Sequence, residues 1–220
     1  MPNKARNAIL VLSLAAIIVA ALSVLSQQEW SLGRLAILIA LAVATARKKV
    51  QLGGASTVSL LTSVVLLAVM VDGPGAAVLV AICGVLVQTI QSNGKLAIHQ
   101  AAFNSSMITL TVAGTSVVYH YIAPGQDFAA ALLAMLVASM TYFLGNSAFV
   151  AVIVGLSKDK SIVRVWRDHF ANTAPSFLIA GMLSLTMFQL VANPVMLVVL
   201  ATVIYPVYLS SIRLASRQLA

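Results

Sequence analysis

Charge is what this sequence has least of. Only 8% of its 220 residues are Asp, Glu, Lys or Arg, against roughly a quarter in a soluble domain. With 61% hydrophobic residues and a mean hydropathy of +1.03, the chain is excluded from the soluble globular class and reads as an integral membrane protein. Acids are scarcer still: Glu29, Asp72, Asp127, Asp159 and Asp168 all fall in connections, none in mid-membrane. Ion-coupled transport generally relies on an ionisable group inside the membrane, so this distribution weighs against it and leaves facilitated uptake open. The single cysteine, Cys83 in VLVAICGVLV, excludes an intrachain disulfide framework and a cysteine metal site, and its apolar setting points to packing.

Catalytic patterns are missing too. No Gly-rich phosphate loop, Ser-His-Asp set or facing pair of haem-binding histidines is present. Asp72-Gly73-Pro74-Gly75-Ala76 opens like an alcohol phosphotransferase motif but lacks the arginine and paired aspartates that should follow, and reads as a turn. Asp168-His169 has no carboxylate cluster beside it, which makes it a headgroup contact and not a metal site. The chain is therefore expected to be non-enzymatic, and its residues name no cofactor.

What is present is a series of apolar runs, each crossing requiring about 20 mostly apolar residues. They predict an all-α polytopic bundle in a single domain over residues 1–220, with candidate helices at 8–26, 31–46, 53–71, 75–91, 103–123, 128–156, 175–192 and 195–213. The second and fourth are short for a full crossing. Lys4 and Arg6 before the first run resemble a signal peptide, with Ala21-Leu22-Ser23 as a loose cleavage site. The run is longer than an ordinary signal core, which favours an uncut first helix. Cleavage would leave seven crossings.

The net charge of +8 is spread over short groups between apolar runs, a pattern of membrane topology and not of nucleic-acid binding. Every second connection is basic, and of the 13 Lys and Arg only Arg34 falls on the opposite side. This bias predicts eight crossings with both termini cytoplasmic. Asp-Gly-Pro-Gly at 72–75, Pro-Gly-Gln-Asp at 124–127 and Asn193-Pro194 read as tight turns on the other side. Lys95–Phe103 and Ile162–Phe170 read as amphipathic interfacial segments. In the second, Val163, Trp166 and Phe170 would point inward while Arg164 and Arg167 meet anionic headgroups, with contact to a partner domain as the alternative.

Two apolar runs carry polar stripes. Ser139, Tyr142 and Asn146 recur at i, i+3, i+7, and Asn104, Thr111, Thr115 and Tyr119 at i, i+7, i+11, i+15. An amide turned to lipid costs several kcal/mol by hydrocarbon reference scales, so both stripes are expected to face other helices or a cavity. Asn104, Thr111, Tyr142 and Asn146 are accordingly candidates either for interhelical hydrogen bonds or for lining a ligand site. Ser56, Ser59 and Ser63 with Gly53 suggest close helix approach. His120, between Tyr119 and Tyr121, reads as an interfacial belt residue.

Phe103-Asn104, Tyr142-Phe143-Leu144-Gly145-Asn146, Leu-Ser-x-x-x-Ser at 156–161 and Trp166-Arg167-Asp168-His169-Phe170 occur in this order. The combination, over roughly residues 53–212, resembles the membrane-embedded amino-terminal region that precedes HD-GYP phosphodiesterase domains, and sometimes GGDEF cyclase domains, in bacterial signalling proteins. The resemblance implies an inner-membrane sensory or anchoring module whose last helix leads to an output domain acting on cyclic dinucleotides. No His-Asp metal site follows Arg217-Gln218-Leu219-Ala220, so phosphodiesterase chemistry does not carry over to these residues. Three functions fit: a sensory module binding a small ligand or partner and signalling to the cytoplasmic side, an accessory subunit of a larger membrane complex, and a substrate-binding transport component. The expected partners are the lipid bilayer and either other membrane subunits or a cytoplasmic output protein, with no nucleic acid.

Overall fold

A computed structural model of the chain describes residues 2–47, 49–51, 57–90, 98–123 and 127–192. Its helices are α1 (Asn3–Leu25), α2 (Leu32–Thr45), α3 (Leu60–Asp72), α4 (Pro74–Thr89), α5 (Ile98–Ile122), α6 (Phe128–Lys158), α7 (Ile162–His169) and α8 (Ala174–Ala192). The candidate helix at 195–213 lies outside the described residues. Among the described residues four helical segments are long and apolar enough to cross a membrane: Asn3–Leu25, Ile98–Ile122, Phe128–Lys158 and Ile162–Leu190, the last running from α7 through a 3-10 turn into α8. With 14, 13 and 16 residues, α2, α3 and α4 are shorter. At 1.5 Å per residue each covers only about 20–24 Å of a hydrocarbon core about 30 Å thick. The expectation of eight full crossings is thus met in part.

Two boundaries differ from the sequence reading. The third run, expected to be helical from 53, instead starts with a two-stranded antiparallel ladder, β1 (Lys49–Gln51) with β2 (Thr57–Ser59), in which Val50 pairs with Val58. Gly53-Gly54 disfavours helix, and the β-branched Thr57 and Val58 favour strand, so the helix waits until Leu60. Ile98–Phe103, expected to be interfacial, forms the first turns of α5, because nothing between Ile98 and Asn104 breaks a helix; 91–97 lie outside the described residues.

Local sequence explains the ends. Gly73 takes φ +84°, a region glycine enters without Cβ strain, and Pro74 follows at the first position of α4, where its missing N–H is no loss. Asp127 caps α6, its Oδ2 accepting from the Ala130 N–H at 2.9 Å. The Ser161 hydroxyl does the same for α7, accepting from Arg164 N–H at 3.5 Å.

Residues Met1–Leu185 form one compact unit. Within it α5 packs against α1, α3, α4 and α6 and is mostly buried, while α1 is mostly exposed, presenting Leu10, Leu14, Ile17 and Leu22 outward as an apolar stripe. The ends of the helices gather in two groups. At one end Gln27 Oε1 accepts from Ala76 N–H at 2.8 Å, and Arg34 forms an ion pair with Asp72. At the other, Arg47 donates to the carbonyls of Val87 (3.2 Å) and Ile90 (2.7 Å), closing the end of α4. Arg34, the one cation outside the basic connections, is therefore neutralised by an acid on the next turn-forming segment.

Helices approach closely where glycine permits it. A Cβ on Gly145 would meet Thr111 Oγ1 at 2.9 Å, joining α6 to α5, and one on Gly181 would collide with Ser139, joining α8 to α6.

Candidate functional site

The hydroxyl-rich core separates into groups by the arithmetic of hydrogen bonding. A serine or threonine in a helix can donate to the carbonyl four residues back. Ser106, Thr115, Ser139, Ser147 and Ser184 all do so, to Ala102, Thr111, Met135, Phe143 and Ala180 at 2.7–2.8 Å. These buried hydroxyls satisfy themselves and need no ligand. Ser184 also lies 2.7 Å from the Ser63 carbonyl, tying α8 to α3. An asparagine amide carries two donors and an acceptor and cannot be satisfied this way.

The sequence-predicted residues consequently lie in different surroundings. Asn104 Nδ2 donates to Thr89 Oγ1 at 3.0 Å, binding α5 to α4. Thr111 is buried, and its Oγ1, facing Gly145, has no hydrogen-bond partner among the described residues. Tyr142 is buried, its ring 5.9 Å from that of Phe177 on α8. Asn146 faces a partly open cavity of about 220 Å³ between α3, α6 and the start of α8. These four residues do not form one site.

Ser59, the last residue of β2, and Thr62 of α3 line that cavity on one side, and Asn146 and Ser147 of α6 on another. Phe170 and Thr173 from the α7–α8 connection and Ser176 and Phe177 of α8 complete it. The Asn146 amide and the Ser59 and Ser176 hydroxyls have no protein hydrogen-bond partner among the described residues. Of this lining, sequence reasoning singled out Asn146 as polar, Ser59 as small and Phe170 as interfacial. Thr62, Ser147, Thr173, Ser176 and Phe177 were missed, and only the polar Asn172-Thr173 and Pro175-Ser176 hinted that the start of the last described helix is not purely lipid-facing.

An aromatic cluster supports the wall. Phe177 packs on Tyr142 (ring centroids 5.9 Å) and Phe143 (5.4 Å), and Phe143 packs on Trp166 (6.0 Å). Trp166 Nε1–H donates to Ser147 Oγ at 2.8 Å, so α7 is bonded directly to a residue of the cavity wall. Val165 and Trp166 thus turn toward α6 while Val163, expected inward, is exposed, as are Arg164 and Arg167. Arg167 pairs with Asp168 at 3.2 Å. A second, charged cleft of about 310 Å³ lies over the α6–α7 connection, lined by Asp159, Lys160, Arg164, Asp168 and His169 among others. Among the described residues no group of three His, Cys, Asp or Glu is placed to hold a metal ion.

A membrane helical core with a small uncharged cavity bonded to a surface helix agrees with the outcome of family comparison. The MASE9 family model matches residues 7–215. The chain belongs to the MASE9 family. MASE families are membrane-associated sensory domains of signalling proteins, and with its crossing-length apolar helices this MASE9 domain is a multi-pass membrane protein. Comparison with curated proteins and with solved structures gives no match.

Proposed function

We propose that this MASE9 domain is a non-catalytic sensory and anchoring module of the bacterial cytoplasmic membrane, with both termini cytoplasmic. A small ligand or partner bound between its helices biases their packing, and the signal passes to a cytoplasmic output, of the cyclic-dinucleotide phosphodiesterase or cyclase type that the sequence resemblance implies. The observation that carries this reading is the Trp166–Ser147 hydrogen bond, which couples a cavity-wall residue to the helix that leaves the wall. A ligand shifts such an equilibrium only by its differential affinity for the two arrangements. Reseating Phe170 or Phe177, or displacing Ser147, changes how α7 docks and supplies that difference.

The test fuses a reporter cyclase after Ala220 and follows its output in cells. Trp166→Phe and Tyr142→Phe are expected to shift basal output at least about threefold, corresponding to about 0.65 kcal/mol of population shift. Unchanged output from both, at equal membrane abundance, refutes the reading. Labelling from outside is expected to reach neither Arg47–Lys49 nor the 158–167 connection, and labelling of either one refutes the orientation. The charged cleft over the α6–α7 connection favours a second reading, an accessory subunit contacting a partner there; recovery of the domain alone in mild detergents counts against it.

A further inference from the structure

The cavity beside Asn146 combines hydroxyl and amide side chains with two phenylalanines and carries no charged group on its described walls. A charged ligand would enter it without a counter-charge and lose hydration, which disfavours it. Its unpartnered groups, the Asn146 amide and the Ser59 and Ser176 hydroxyls, each donate and accept, whereas Phe170 and Phe177 offer flat apolar surface. About 220 Å³ is below the usual range for drug-sized ligands, roughly 300–1,000 Å³, and suits a compact molecule.

We propose that this cavity binds a small electrically neutral molecule, one planar apolar ring or equivalent bearing an amide, urea or lactam-like group, which pairs with Asn146 while its face lies on the phenylalanines. The amide of Asn146 meets both the N–H and the C=O of such a group, a complementarity that a carboxylate or an ammonium ion lacks. The inference deepens the sensory reading and rests on it for its biological meaning, but binding is measured without any output domain.

The experiment uses the full chain purified in mild detergent, with Trp30→Phe so that Trp166, bonded to the cavity wall, is the only tryptophan. Benzamide, benzoate and benzylamine, alike in size and different in charge, are titrated at pH 8 while Trp166 emission is followed. Benzamide is expected to give a saturable change with affinity at least about tenfold above either charged compound. Asn146→Leu abolishes that change. The nearly isosteric Asn146→Asp reverses the ranking in favour of benzylamine, which keeps the test decisive if the leucine variant misfolds. No saturable response to benzamide, equal binding of a charged compound, or an unaltered ranking in Asn146→Asp overturns the proposal. Such a failure, with Trp166→Phe still altering reporter output, removes the ligand class and leaves the sensory reading. Binding as described with output insensitive to every variant does the reverse.

Discussion

Replacing Trp166 by phenylalanine isolates one hydrogen bond. The phenyl ring keeps most of the contact with Phe143, while the donor to Ser147 Oγ, now 2.8 Å away, disappears. Ser147 is buried, but its hydroxyl still donates to the Phe143 carbonyl at 2.7 Å, so the loss strands an acceptor lone pair and not a donor. Net hydrogen bonds contribute about 0.5–1.5 kcal/mol in proteins, and interhelical ones in membranes average about 0.6 kcal/mol with a maximum near 1.7. Trp166→Phe is therefore expected to destabilise the docking of α7 by about 1 kcal/mol, including a small packing loss. Ser147→Ala should cost a similar amount, and the double variant less than the sum. The coupling energy from the double-mutant cycle, read from reversible unfolding in mixed micelles, is expected at about 0.5–1.5 kcal/mol. Hydrogen exchange of Ile162–His169 should accelerate by the same factor in each single variant, because the bond holds that helix alone. A coupling energy below about 0.3 kcal/mol, or unchanged exchange there, refutes the coupling of cavity wall to surface helix.

Gly181→Ala drives its Cβ into Ser139 and to 3.3 Å from Met135 Cγ, and is expected to cost about 1–3 kcal/mol in micellar unfolding, partly recovered by Ser139→Ala. Asp159 ends α6 in the left-handed conformation, φ 51° and ψ 45°. Asp159→Gly should then stabilise by about 0.5 kcal/mol and Asp159→Val destabilise by about 1–2, seen as opposite shifts in melting temperature. The Asp72 side chain is 4% exposed and that of Arg34 is 51% exposed. Arg34→Gln leaves a buried carboxylate uncompensated and should cost about 1–3 kcal/mol, more than Asp72→Asn, whose stranded arginine reaches water; the reverse order would disprove this account of the pair.

The positions of the helices were legible because membrane crossing leaves a long signal. α1, α2, α4, α6 and α8 begin and end within a few residues of the apolar runs. The turn at Gly73-Pro74 was legible for the same local reason, since backbone freedom and a missing N–H belong to the residues themselves. The length of the third helix was not. The candidate helix starts at Gly53, although Gly53-Gly54 disfavours helix and Thr57 and Val58 favour strand, and pairing with Lys49–Gln51 makes Thr57–Ser59 a strand. The candidate site was half legible. Spacing put Tyr142 and Asn146 on one side of α6, where Tyr142 is buried and Asn146 faces the cavity, yet it grouped them with Asn104 and Thr111, which meet Thr89 and Gly145 instead.

Sequence by itself determined the medium, the helical class and which side chains could not face lipid, because transfer free energy and backbone satisfaction are additive along a chain. Only tertiary structure decided which amide is consumed by a neighbour and which is left facing a cavity. That depends on partners such as Thr89 for Asn104, 15 residues away on another helix, brought together by packing. A helical serine or threonine hydroxyl such as Ser139 or Ser147 can find its acceptor on the preceding turn of its own helix, whereas an amide must be met by another one.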